Sequence, residues 1–137
     1  MTTMRWARAV LAVAALALAA GAAAQGMLDG QRFVGDLGEK GKAADERNDM
    51  LTFANGQFHS AACDQWKFSK AKYTATQSGD AIAFEAETVS ESDGRMVWRG
   101  TIRGDALEGT FIHYRKPAWY RPNPEPIEHW VKAKRAG

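Results

Sequence analysis

The chain has 137 residues, 45% of them hydrophobic and 25% charged, with 18 basic against 16 acidic side chains and a single cysteine. That length suits one small domain with one core, and a lone cysteine excludes an internal disulfide. Stability must come from packed apolar surface.

The first segment reads as an address. Met1 to Arg8 carries two positive charges, Arg5 and Arg8, ahead of an unbroken apolar run from Ala9 to Ala20 and the small residues Gly21-Ala22-Ala23-Ala24. That order predicts a secretory signal over residues 1–24, cleaved between Ala24 and Gln25. A membrane anchor needs about 18 apolar residues, and a lipid anchor needs a cysteine beside the run, whereas the only cysteine is Cys63. Trp6-Ala7 separates Arg5 from Arg8, so no twin-arginine signal is present. The alanine-rich composition looks bacterial. A Sec-type route to the periplasm or exterior is expected, with no integral membrane span in the product. Loss of Arg5 and Arg8 leaves 16 basic against 16 acidic groups, a balance that disfavours nucleic-acid partners.

Residues 25–137 form the second unit, and their pattern is that of short strands separated by turn residues. After Asp29-Gly30, Arg32 to Leu37 opens the series. Leu51 and Phe53 lead into Asn55-Gly56, with Phe58 and Ser60 beyond. Asn-Gly between such runs is a strong hairpin signal, because both residues accept the positive φ of a type I′ turn. Tyr73 to Gln77 reaches the turn Ser78-Gly79-Asp80. Ile82, Phe84, Ala86 and Thr88 then alternate with polar and small neighbours. Beyond Ser92-Asp93-Gly94, Met96, Trp98, Gly100 and Ile102 share a face; beyond Gly104-Asp105, Leu107, Gly109, Phe111 and His113 do the same. Eight strands are predicted, at about 31–37, 49–54, 57–62, 71–77, 81–89, 95–103, 106–114 and 127–134. Lys42 to Asn48 could make a helical turn or two, but it lacks an apolar stripe.

Eight short strands joined by hairpins fit a sandwich or an up-and-down barrel. The barrel is favoured, since closure removes exposed edges without long crossovers. Gly100 and Gly109, inside strands, suit sharp bending or close approach. The expected class is all-β: a single antiparallel eight-stranded up-and-down barrel. The succession from Gly30 to Leu37, then hairpin upon hairpin through Trp98-Arg99-Gly100 and Asp105-Ala106-Leu107-Glu108-Gly109, resembles the calycin superfamily of lipocalin- and avidin-like barrels. The likeness is one of strand and turn pattern. It implies a fold, and fold does not imply function.

Three groups of residues could carry chemistry. Tyr73, Phe84, Trp98 and Phe111 lie on inward faces, where they either fill the core or line a pocket for a small apolar or aromatic ligand. Segment 115–126 holds all four prolines with Trp119 and Tyr120. It exceeds the usual hairpin connection and serves either as a lid or as a recognition loop for a ligand or an envelope protein, with Arg115, Lys116 and Arg121 favouring anions. The polar set His59, Cys63, Asp64, His113 and His129 is the third group. His59 and Cys63, four apart, would share a face of a regular strand and are weak metal or thiol candidates, since no dense ligand motif accompanies them. Nucleophile-elbow and phosphate-loop motifs are missing, so no catalytic residue and no cofactor are assigned. Binding is the expected activity, with an interaction protein working through segment 115–126 as the alternative.

Overall fold

A computed structural model describes residues 26–137; the expected signal segment and its cleavage point lie outside the described residues. The chain forms eight antiparallel strands: β1 Arg32–Glu39, β2 Glu46–Ala54, β3 Gln57–Ser60, β4 Ala71–Ser78, β5 Ala81–Ser90, β6 Gly94–Arg103, β7 Ala106–Tyr114 and β8 Ile127–Arg135. Each pairs with its neighbour in sequence, and β1 pairs with β8 from Phe33↔Arg135 to Glu39↔His129, so the sheet closes into an up-and-down barrel. The all-β reading of the sequence is met. No helix among the described residues is long and apolar enough to cross a membrane.

The period-two pattern sets which side chains point inward. Leu51, Phe53, Phe58, Ser60, Phe84, Ala86, Thr88, Met96, Trp98, Ile102, Leu107 and Phe111 are all buried. Asn55 and Gly56 both take positive φ (54° and 74°) in the β2–β3 turn, as the Asn-Gly pair predicts. Gly100 and Gly109 are direct partners across β6 and β7. A Cβ on Gly109 would lie 2.3 Å from the Arg99 carbonyl oxygen, and one on Gly100 would lie 2.6 Å from the Phe84 ring, so this crossing admits no side chain. The glycines serve close approach, the reason their place inside strands suggested.

Most boundaries fall within one residue of the sequence reading and β1 runs on to Glu39 rather than 37, while two departures have a cause in neighbouring contacts. β2 starts at Glu46 rather than 49, because a bulge opposite Gly35–Leu37 lets polar residues extend the pairing while Asn48 adopts φ 59°. Its N–H donates to Asp36 Oδ1 at 3.1 Å. β3 stops at Ser60 instead of 62, and Ala61–Trp66 winds into a short 3-10 helix, η1, that ends on left-handed Lys67. Asp49 causes that departure. Its carboxylate accepts the Ser60 hydroxyl at 2.5 Å and the Ala62 N–H at 2.8 Å, pulling the chain off the β3 line and over the barrel rim.

The two ends of the barrel are unlike. At one end the turn 26–30 caps the interior with Leu28, which is fully buried. The Leu28 N–H donates to Tyr73 Oη at 2.9 Å, Tyr73 Oη donates to Asp29 Oδ1 at 2.7 Å, and the Asp29 carboxylate also accepts the Gly56 N–H. Phe33, Phe53, Phe58, Tyr73 and Phe84 then interlock, with ring centroids 5.0–6.1 Å apart. This half is solid. The other end gathers η1, the turn at 91–93, the link 40–45 and segment 115–126, and there the interior opens.

Candidate functional site

Inside the open end lies a cavity of about 400 Å³. A volume above ~300 Å³ is in the range of small-ligand sites. Leu37, Cys63, Met96 and Phe111, all buried, supply its inner surface, His113 and His129 stand along the wall, and Asp45, Glu46, Ala62, Asp93 and Trp66 complete the lining. The set contains three carboxylates and neither lysine nor arginine, so its potential favours a neutral or cationic occupant over an anion.

An aromatic column leads from the solid half to this cavity. Phe58 packs on Trp98 at 4.9 Å, Trp98 stacks on Phe111 at 4.3 Å, and Phe111 stacks on His129 at 4.3 Å with the rings 5° from parallel. The Trp98 indole N–H is satisfied by Thr88 Oγ1 at 3.2 Å. Among the interior candidates from the sequence, Tyr73, Phe84 and Trp98 therefore sit within the packed half, and Phe111 lies on the cavity.

The two histidines differ. His113 Nε2 lies 2.7 Å from the Asp93 carbonyl oxygen, which can only accept, so Nε2 is the donor of that bond. His129 Nδ1 is buried without a hydrogen-bond partner of good geometry. Burial lowers the His129 pKa from its ordinary 6.5, against the opposing pull of Asp45, the Ile127 backbone and Glu39, so the ring is neutral at pH 7. The cavity wall thus joins the neutral His129 ring to the Phe111 ring stacked on it, while Nδ1 itself is enclosed by protein.

Cys63 projects from η1 into the interior, with Sγ 3.4 Å from Ser60 Oγ and 3.8 Å from Met96 Sδ. Burial pushes its thiol pKa up to about 12, and Asp49 and Glu46 add to the effect. A nucleophile needs the opposite shift. His59 faces away, with Nε2 2.7 Å from Asp64 Oδ1 on the outside of η1. The strand that would have aligned His59 with Cys63 ends at Ser60, which separates the pair. Among the described residues no three His, Cys, Asp or Glu side chains are placed to hold a metal.

Segment 115–126 does not fold its aromatics over the mouth. Ala118 and Arg121 exchange both backbone hydrogen bonds, at 3.0 and 2.8 Å, so Trp119 and Tyr120 form the tip of a two-residue turn. They stand 92% and 65% exposed, edge to face at 5.5 Å. The sequence reading did not assign Leu37, Asp45, Glu46, Trp66, Asp93 or Met96 to a site. Their common signal is position near one set of connections, legible only once the strands are known to close in order. No family model, no curated protein and no solved structure matches the chain.

Proposed function

We propose that the chain is an exported, periplasmic barrel of calycin-like type that binds a small apolar or aromatic molecule in the cavity at its open end. The half-filled interior carries this reading: a solid aromatic floor beneath about 400 Å³ of space bordered by Phe111, Met96 and the two histidines. A flat ligand would lie along the Phe111–His129 stack. The carboxylates Asp45, Glu46 and Asp93 favour neutral or amine-bearing molecules over fatty acids. Residues 1–24, with their charged, apolar and small-residue order, supply the export address.

Native mass spectrometry of protein recovered from its own host, followed by thermal-shift screening of quinones, aromatic amines and fatty acids, tests the reading. Retained mass or a melting rise with the neutral and cationic classes is expected, and Ala62→Trp, which fills the cavity, should abolish it. A bare polypeptide mass together with silence across all classes would sink the proposal. A second reading, an inhibitor or assembly factor working through segment 115–126, draws support from the exposure of Trp119 and Tyr120. It predicts a binding defect in Trp119→Ala/Tyr120→Ala while the cavity stays empty.

A further inference from the structure

The four large hydrophobic side chains left exposed among the described residues are Trp66, Val89, Trp119 and Tyr120. All lie at or beside connections of the open end: Trp66 closes η1, Val89 ends the outward face of β5, and the aromatic pair tips the 118–121 turn. The opposite end exposes none. We propose that this end docks on an anionic membrane surface, with the Trp119–Tyr120 turn entering the headgroup layer. The proposal goes beyond the cavity reading and does not depend on it.

Three observations select that occupant. First, the tip is small and convex. Two aromatic side chains offer about 300–500 Å², short of the roughly 800 Å² per partner of a stable protein interface. Trp and Tyr are the residues that settle at a membrane interface, with the ring body in the acyl boundary and the polar edge wet. Second, cations stand beside the tip, set apart from the mouth carboxylates Asp45, Glu46 and Asp93, with the Arg121 guanidinium 5.5 Å over the Tyr120 ring. Arg115, Lys116 and Arg121 each donate to a backbone carbonyl, those of Glu125, Glu91 and Lys116, and none of the three forms a salt bridge with a carboxylate among the described residues. A phosphate-bearing surface supplies the missing counter-charge. Third, the tip is preset. The Ala118–Arg121 backbone pair, prolines 117, 122, 124 and 126, and the 2.7 Å bond from Lys116 Nζ to the Glu91 carbonyl hold it in place, so little ordering entropy is lost on insertion.

The test uses full-length protein expressed in a bacterial host, with the N-terminus of the purified product fixed by mass spectrometry and identical in every variant. Co-sedimentation is measured with vesicles of phosphatidylcholine alone and with added phosphatidylglycerol. Binding to the anionic vesicles is expected at 0.05 M salt, with loss as salt approaches 1 M. Trp119→Ala/Tyr120→Ala should weaken it at least tenfold with the melting temperature unchanged, since both side chains are solvent-exposed. Lys116→Gln and Arg121→Gln should each weaken it about fivefold, the value of one basic residue at such a surface. Equal binding by wild type and the aromatic double variant would overturn the proposal. So would absence of binding at low salt, and a protein partner cross-linked by wild type but not by the double variant, without vesicle binding, would assign the turn to protein recognition instead.

Discussion

Asp49 is 3% exposed and holds η1 against the barrel, so its replacement tests both the fold and the wall of the cavity. In Asp49→Ala the Ser60 hydroxyl and the Ala62 N–H lose their acceptor. An orphaned buried donor costs about 1–3 kcal/mol. The hydroxyl can turn toward Cys63 Sγ, 3.4 Å away, and the Ala62 N–H is only partly buried, so the total is about 2–3 kcal/mol. For a domain of this size that is a fall of roughly 10 °C in Tm. Asp49→Asn keeps both contacts, with the amide oxygen accepting from Ala62 and the amide nitrogen donating to Ser60, and it removes a buried charge. Burial raises the Asp49 pKa above its ordinary 3.8, despite the opposing hydrogen bonds. A raised carboxyl pKa gives stability that is present below 3.8 and lost as pH climbs through the folded value. The Asn variant, which does not titrate, should therefore gain on wild type between pH 4 and pH 7. Thermal unfolding at the two pH values measures this, and the labelling rate of Cys63 by a thiol reagent reports the wall. Wild type and Asn should protect Cys63, while Ala should expose it. An Asp49→Ala protein with wild-type Tm and an equally protected thiol would refute the pinning role of Asp49.

Two further predictions follow from the same physics. Because burial lowers the His129 pKa, the folded state resists a proton that the unfolded chain accepts at about 6.5. Wild-type stability should fall as pH drops from that value toward the folded pKa, and urea melts should show a flatter dependence in His129→Gln. At the glycine crossing, Gly109→Ala drives a methyl into the Arg99 backbone, whereas Gly100→Ala meets the edge of the Phe84 ring. Overpacking costs ~1–3 kcal/mol, and urea midpoints should place Gly109→Ala at the top of that range and Gly100→Ala near its floor. Equal midpoints would mean that the backbone there yields as readily as a side chain.

Most of the barrel was legible because each strand has one buried face and a turn signal at its end. Asn55-Gly56 and the alternation from Ile82 to Thr88 define their hairpins without help from distant residues. The site was less legible. Asp49 reads as an ordinary polar residue of a short strand, yet its contacts with Ser60 and Ala62 end β3 and create η1. That tertiary contact overrides the local alternation that extended β3 to 62. It also explains why His59 and Cys63, close in sequence, point to opposite sides of the wall. Trp119 and Tyr120 stood out by composition, but their exposure follows from the Ala118–Arg121 pair, which proline spacing alone does not specify.

The cavity has a cause in side-chain size. Inward positions toward the capped end carry Phe33, Phe53, Phe58, Tyr73 and Phe84, which meet across the barrel axis. Toward the open end the inward residues of β3, β5 and β6 are the smaller Ser60, Thr88, Ser90 and Met96, beside Leu37, Phe68 and Phe111. An eight-stranded barrel has a nearly constant bore, so small residues in one half leave space that large residues in the other half remove. The buried serines and threonine there are already satisfied: Ser60 by Asp49, Thr88 by Trp98, Ser90 by the Trp66 carbonyl. A space lined by satisfied polar groups and apolar atoms is what a ligand with a flat apolar body would complete. A larger residue at Ser60 or Thr88 would fill that space only by breaking the contact that holds η1 or orients Trp98.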